Sequence, residues 1–591
     1  MRDYIILNGV NSNTISGLLI STLPSISKPK IRTQTEEIDG RDGDIITKLG
    51  YSAYDKEFTI GLYGNFDINE VIEYFNSEGT VVFSNENDKY YNYQILEQID
   101  FEKLIRFKTA KVKMHVQPFK YPTEETPVEI EYQYVTGEGT NITLDNTDNA
   151  LMQLDLNPSE LTQETTPTPD NPQEIQVIKG NNSIKIENKN LFDVPLDSSI
   201  TSNIQYKTYR LEPNTKYTIS TNTYLSNDAI ANIFIDLGTS LTPSTSANGV
   251  NGSKTITTDS TGYVTIGYRN YSMQLDYSTG MYYCQLEKGT QATTYEPHQE
   301  QVLPLNLPNG IEYCKIGTYE DEFEHDGDKW YLNKYIGKVE VNSSSLDTFT
   351  NSLTNLNSVQ FAKSNDDLKK VSLNRTITIL CNKLSYSTRP GGTYDDSTLI
   401  NKILDGGIDK YWIGLPKTIT TLEEAQTYLG TLEVYYPLAT PTHEEITDTT
   451  LISQLNAIEK ALSYDGQTNI SQTNTGLPFI ISASALEKGS NTATVNNTGN
   501  IYSKPTIDIE GSGTVDIYLN NNQMFSVDLS NSNECVIDTT NLEAYNPSNS
   551  ALMNRQVTGD YSNFKLNTGE NAVKVNGNVT KVTITDYTRW L

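Results

Sequence analysis

Phe107-Lys-Thr-Ala-Lys-Val-Lys-Met-His-Val-Gln-Pro-Phe-Lys-Tyr121 decides how the chain is divided. Ala110, Val112, Met114 and Val116 alternate with Lys111, Lys113 and His115, the period of two of a strand with one face on a core and the other in water. Pro118 has no N–H to offer a ladder and is expected to end the strand there. The acidic, proline-bearing Tyr121-Pro-Thr-Glu-Glu-Thr-Pro127 that follows reads as an exposed crossing between domains. The stretch therefore closes one compact unit, and the chain returns to it only at about residue 480.

Upstream of this strand, Tyr4 to Leu7, Leu18 to Ile20, Phe58 to Leu62, Val81 to Phe83 and Tyr90 to Leu96 are apolar or alternating runs that predict further strands. One helix is expected among them. Asp67 is a good N-cap with Glu70 three residues on, Ile68, Val71, Ile72 and Phe75 share a face, and Gly79 offers a left-handed stop. The glycine-punctuated Glu37-Ile-Asp-Gly-Arg-Asp-Gly-Asp44 has no phosphate-binding frame around it.

A chain of 591 residues cannot be covered by one hydrophobic core, so it divides into roughly three to five units. It holds 38 Tyr against 15 Phe, and its Asn, Thr and Ser favour strands and turns, so the expected class is mainly β. A net charge of −30 with no Lys/Arg cluster argues against a nucleic-acid surface. No apolar stretch is long enough to enter a membrane or to serve as a secretory leader, so neither membrane insertion nor export is expected. Cys284, Cys314, Cys381 and Cys535 stand far apart, which points to reduced, buried thiols in a protein folded in a cytoplasm.

The I-D-G-R-D-G-D loop, the strand Phe58 to Tyr63, the D-I-N-E-V-I-E-Y-F helix and the exit through Gln117-Pro-Phe119 resemble the N-terminal domain of the distal tail (Dit) proteins of siphophages. The far end resembles the galectin-like C-terminal domain of the same family: Asn497-Thr-Gly499, the strand led by Pro505, the Gly511/Gly513 turn, and Leu566 to Asn571 as L-x-x-G-x-N. Short alternating strands such as Gly513 to Leu519 and Met524 to Leu529 suit a β-sandwich, with Asn521-Asn522 as a hairpin turn.

Between these ends the chain carries about 350 residues that a typical family member lacks. Within them, Leu211-Glu-Pro-Asn-Thr-Lys-Tyr217 and the closing Gln285-Leu-Glu-Lys-Gly289 with Thr293-Thr-Tyr-Glu-Pro297 look like the carbohydrate-binding jelly-roll modules of phage tail proteins. Strands resume after Leu303, with Asp326-Gly327-Asp328 as a turn, Thr421 and Glu424 as a capping box, and a helix from Asp448 or Thr449 carrying Leu451, Leu455, Ile458 and Leu462 until Gly466. The expected division is 1–128 ring-forming domain, 129–189 and 299–475 the two parts of one inserted domain, 190–298 a nested jelly-roll module, and 476–591 a galectin-like sandwich.

Tyr319-Glu-Asp-Glu-Phe-Glu-His-Asp-Gly-Asp328 concentrates carboxylates but reads as the solvated edge of a hairpin rather than a calcium or acid–base site. His443-Glu-Glu-Ile-Thr447 lacks the second histidine of a zincin helix, and no nucleophile elbow, Walker loop or dinucleotide fingerprint occurs. No cofactor, metal site or catalytic residue is assigned, and the chain is expected not to be an enzyme. Tyr206, Tyr209, Tyr224, Tyr263, Tyr268 and Tyr271 crowd the nested module, and Tyr268 and Tyr271 beside Arg269 are the candidate sugar-stacking platform.

The resemblance implies a homo-hexameric ring at the virion tail tip, partnered by the tail tube protein and by tail-associated or fibre proteins. The insert implies binding of host cell-wall saccharide. The alternatives are an adhesin without a ring-hub role and a wall-degrading glycosidase, for which no motif speaks.

Overall fold

In a computed structural model the chain is described at residues 2–75, 77–124, 126–163, 166–194, 205–222, 233–238, 250, 252–268, 283–362, 379–387, 395–405 and 410–591. The fold is mainly β and multidomain. It divides into two units, Met1–Gln133 with Gly489–Leu591, and Tyr134–Lys488.

The first unit opens with a seven-stranded sheet in the order Val10–Asn11, Ile5–Leu7, Glu78–Phe83, Lys89–Gln94, Thr109–Pro122, Tyr54–Leu62, Leu18–Thr22. Ala110, Val112, Met114 and Val116 all face its core. The central strand does not end at Pro118 but runs on to Pro122. Its pairing with Lys89–Gln94 slips between Tyr91 and Tyr93, and that irregularity lets an N–H-less residue sit inside a strand.

The helix Ile68–Tyr74 starts on Asp67, whose side chain accepts from the Asn69 N–H at 2.9 Å. It ends well before Gly79, which lies in the next strand; a Cβ there would collide with the Asn8 side chain. The buried face is Val71, Tyr74 and Phe75, while Ile72 points to solvent. A second helix, Phe101–Phe107, joins it, capped by Asp100 on the Lys103 N–H and stopped by Lys108 in the left-handed region at φ 62°. At seven residues, with Leu104 alone buried, its apolar pattern is too short to separate from a loop.

Residues 129 and 130, which the sequence assigns to the insert, pair instead with the C-terminal sheet. Val128–Ile130 pairs antiparallel with the long strand Gly569–Thr585, as the edge of an eight-stranded sheet built around Thr506–Leu519. Asn520 and Asn521, both at positive φ, make the hairpin turn one residue earlier than expected. Lys120 and Trp590 exchange both backbone hydrogen bonds, and the Arg589 guanidinium lies 4.6 Å from the centroid of the Phe119 ring.

Beneath the first sheet lies a buried charge cluster. Lys120 Nζ is 2.6 Å from Glu86, whose other oxygen accepts from the Tyr91 hydroxyl. Burial pushes the Glu86 carboxyl up, but the bonds from Lys120 and Tyr91 outweigh it and hold it below its ordinary range. Lys56, 2% exposed, donates to the Ser25 carbonyl at 3.0 Å and lies 4.7 Å from the centroid of the Tyr91 ring.

In the second unit a six-stranded sheet runs Tyr134–Gly139, Phe479–Glu487, Asn141–Pro158, Gly466–Thr473, Gly180–Glu187, Glu300–Leu307. Phe479–Glu487, which the sequence assigns to the C-terminal sandwich, is a strand of this sheet, paired on both sides. Gly466, at φ 90°, opens a strand rather than ending a helix. The helix Thr449–Glu459, capped by Asp448 on the Leu451 N–H, lays Leu451, Leu455 and Ile458 on the same core as Ile184, Ile470 and Ile481. Lys329–Val341 with Leu432–Glu445, and Asn357–Ala362 with Lys410–Leu415, build two further sheets. The helix Leu422–Leu429 starts on Thr421, while Glu424 reaches back to the Thr420 N–H.

Burial lowers the Lys56 ammonium to about 8 from its ordinary value. Above that pH the unfolded chain holds a proton the folded chain has released, so Lys56 contributes stability that grows as pH rises. Comparison with a Lys56→Met variant cancels the buried thiols, which pull the other way. The variant's urea midpoint relative to the natural chain should be highest below pH 8 and fall by about pH 9.5; a difference independent of pH would show that Lys56 does not titrate there.

Candidate functional site

The segment between Glu187 and Glu300 leaves the six-stranded sheet from two neighbouring strands, and its described residues form two three-stranded antiparallel sheets. One is Gln205–Arg210, Tyr263–Tyr268, Ile233–Leu237; the other is Gly252–Thr257, Lys216–Thr221, Cys284–Lys288. Ile219, Ile235, Val264, Ile266 and Leu286 pack between them. Gly262, at φ 71°, turns the chain where a Cβ would strike the Leu211 carbonyl.

The closing motif is explained by a buried polar network. Gln285 and Glu287 lie on the face of the strand opposite Leu286 and are buried at 0% and 2% exposure beneath the loop that follows. Glu287 accepts from the Thr293 N–H at 2.9 Å and from its hydroxyl at 2.7 Å, while Gln285 donates to Glu287 at 2.9 Å and accepts from the Glu296 N–H at 2.9 Å. The glutamine, glutamate and threonine thus fold the loop after Gly289 back onto the strand. Glu287 in particular is a fully engaged structural carboxylate, not a free acid.

That fold-back presents an aromatic pair. Tyr295, 37% exposed, stacks on half-buried Tyr283 with centroids 4.6 Å apart and planes 20° from parallel. The strand-end Tyr283 is held in place by the Asn222 side chain, which accepts from its N–H at 2.8 Å. The pair is not legible in the sequence because the two rings stand twelve positions apart and meet through the Gln285–Glu287–Thr293 network that folds the loop back.

Of the tyrosines singled out from sequence, Tyr209 is structural: its hydroxyl donates to Asp193 at 3.0 Å, and Lys207 bonds the same carboxylate. Burial, then the Asp193 charge, pushes that phenol far above its ordinary range. Tyr206 is 38% exposed, and Tyr263 stands 5.8 Å from the Arg210 guanidinium. Tyr268 ends a strand, paired with Gln205 and Ile233. Tyr224, Arg269 and Tyr271 lie outside the described residues.

The acidic hairpin is mostly solvated, with Glu322, Glu324, Asp326 and Asp328 exposed. Asp321 is the exception at 0% exposure: it accepts from the Cys314, Tyr335 and Ile336 N–H groups at 2.9, 2.8 and 3.1 Å and from Lys334. His443 lies on a strand, stacked on Tyr331 at 4.1 Å, not on a helix.

A second feature belongs to the first unit. Ile31–Glu36 and Ile45–Tyr51 form a two-stranded sheet of their own, joined by the glycine-punctuated loop. Ile31, Ile38, Ile46 and Leu49 are 45–66% exposed on it.

Thr293→Val removes the hydroxyl from Glu287 and leaves a buried carboxylate oxygen short of a donor, a cost of roughly 1–3 kcal/mol. Amide exchange at Thr293 and Glu296 should quicken while that of Leu286 stays slow; unchanged exchange at both would show that the loop is held by something other than this network.

No protein-family model matches the chain, and no curated protein matches its sequence. Among solved structures the chain is similar to the crystal structure of the Dit protein of phage SPP1, described as a paradigm of the hub adsorption apparatus in phages that infect Gram-positive bacteria. The identity is 12%, the match covers 46% of this chain and 99% of that one, and the TM-score is 0.17.

Proposed function

We propose that the chain is a non-catalytic hub of a phage tail tip, a homo-hexameric ring that joins the tail tube to the adsorption apparatus. Residues 1–128 would form the ring. The observation that carries this is the exposed hairpin arm, Ile31–Glu36 with Ile45–Tyr51. A two-stranded arm with four solvated aliphatic side chains is a poor element for a monomer, which leaves two strand edges and an apolar surface in water. A neighbouring copy in a closed ring would cover both. Like charge on each acidic copy opposes assembly, so moderate salt should favour the ring.

Ile46→Asp with Leu49→Asp should shift native mass spectra from ring to monomer with the circular dichroism unchanged. A double variant that still forms the ring would acquit the arm. Monomer alone from the natural chain, at every protein and salt concentration, would overturn the hub reading.

The nested module supports a second role in the same particle: binding host cell-wall saccharide. Its support is the stacked Tyr283–Tyr295 pair, an outward aromatic face of the sort on which sugar rings lie. Tyr268, Arg269 and Tyr271, the platform read from the sequence, remain candidate contacts. Single sites of this kind are polar and weak, and repetition around a ring raises avidity by about 10²–10⁴. A chain of net charge −30 repels a phosphate-rich polymer, which favours a neutral saccharide.

Replacing Tyr283 and Tyr295 together by Ala in the full chain should cut binding to purified host wall polysaccharide at least roughly tenfold, the loss expected for about 1.4 kcal/mol. Unchanged binding would remove the pair from the site, and no binding by the natural chain would leave the module as a spacer.

A further inference from the structure

We propose that Glu187, His298 and Glu300 form a binding site for a divalent transition-metal ion at the neck of the nested module. Glu187 ends the strand Gly180–Glu187, Glu300 begins Glu300–Leu307, and the two are direct partners across the pair. Carboxylates facing each other across strands repel, the more so where one is buried, and Glu187 is only 9% exposed. The position therefore calls for a positive charge. Lys185, two residues before Glu187 on the same strand, supplies one, with Nζ 2.7 Å from Glu187 and 2.9 Å from Glu300.

His298 makes the cluster more than an ion pair. Its Nδ1 is 2.7 Å from the Asn190 carbonyl, a group that can only accept, so Nδ1 carries a hydrogen. Nε2 is turned to the carboxylates, 3.4 Å from Glu300 and 3.9 Å from Glu187. A backbone carbonyl on one ring nitrogen, aiming the other, is how metal-ligating histidines are oriented. The three ligand atoms lie within 4.8 Å of one another. Donors about 2.0–2.2 Å from a tetrahedral ion stand roughly 3.3–3.6 Å apart, so small rotamer changes would close the trio around it. One imidazole and two carboxylates suit Zn²⁺, with water as a fourth ligand.

Lys185 is then the ion's competitor: it supplies the charge when no metal is bound, and its side chain, 31% exposed, has water to swing into. Both crossings into the nested module pass beside this point, where Asn188 and Gln299 trade hydrogen bonds. A bound ion would fasten that neck.

The test is calorimetric titration of the full chain with Zn²⁺ alone, with Co²⁺ absorption as a second readout of a nitrogen–oxygen site. The natural chain should bind one equivalent more than His298→Ala, or bind it tighter by at least the roughly tenfold that even an outer-sphere partner contributes. Lys185→Gln, which leaves the ligands in place and removes the competing charge, should tighten binding by a similar factor. Equal stoichiometry and affinity in the natural chain and His298→Ala would overturn the proposal. So would weaker binding by Lys185→Gln, a variant whose result does not depend on the packing of His298.

Discussion

The fold rests on the requirement that strand edges find partners, and here the partners come from far along the chain. Val128–Ile130 is completed by Gly569–Thr585, Tyr134–Gly139 by Phe479–Glu487, and Asn141–Pro158 by both Gly466–Thr473 and Phe479–Glu487. Backbone N–H and C=O groups left unpaired in a core cost as much as lost hydrogen bonds, so none of these strands is stable until its distant partner arrives. Such pairing is slow to form because loop closure precedes any return in contacts. It also explains how a whole module can be carried between Glu187 and Glu300: adjacent antiparallel strands bring its two ends together, and the sheet does not need what lies between them.

The neck of that module is built from amides rather than apolar side chains. Asn188 bonds the Pro297 carbonyl and the Gln299 N–H, and Asn190 accepts from the Phe192 and Leu286 N–H groups while donating to the Glu296 carbonyl. Each asparagine acts as donor and acceptor at once and satisfies loop backbone that no strand reaches. Lys189 with Glu296 and Lys185 with Glu187 and Glu300 add charge to the same junction. Breaking one member leaves the others buried and unpaired, so the junction is held more firmly than its few bonds suggest.

Buried charge recurs elsewhere with the same logic. Asp321 collects three backbone N–H groups and Lys334 beside the hairpin, and Glu86 pairs with Lys120, whose backbone bridges to Trp590. Such pairs contribute little net stability, but each is expensive to misplace, which favours one arrangement over near neighbours.

Alternation, caps and turns are local, and the sequence by itself determined them: the mainly β class, the buried face of Ala110 to Val116, the helix starts at Asp67, at Thr421 and at Asp448 or Thr449, and the Asp326–Asp328 turn. Each depends on residues within a few positions of one another, so the pattern is complete in the stretch that carries it. Only the tertiary structure decided the rest. Pro118 sits inside a strand because a register slip with Tyr91 and Tyr93 absorbs it, and Phe479–Glu487 joins the inserted sheet because its partners at 134–158 lie there. Tyr295 meets Tyr283 because Glu287 and Thr293 fold a loop, and His298 meets Glu187 because two strands run side by side. A strand's period says which face is apolar but not which strand will lie beside it, and the tyrosine pair and the Glu187–His298–Glu300 cluster are both made where segments apart in sequence become neighbours.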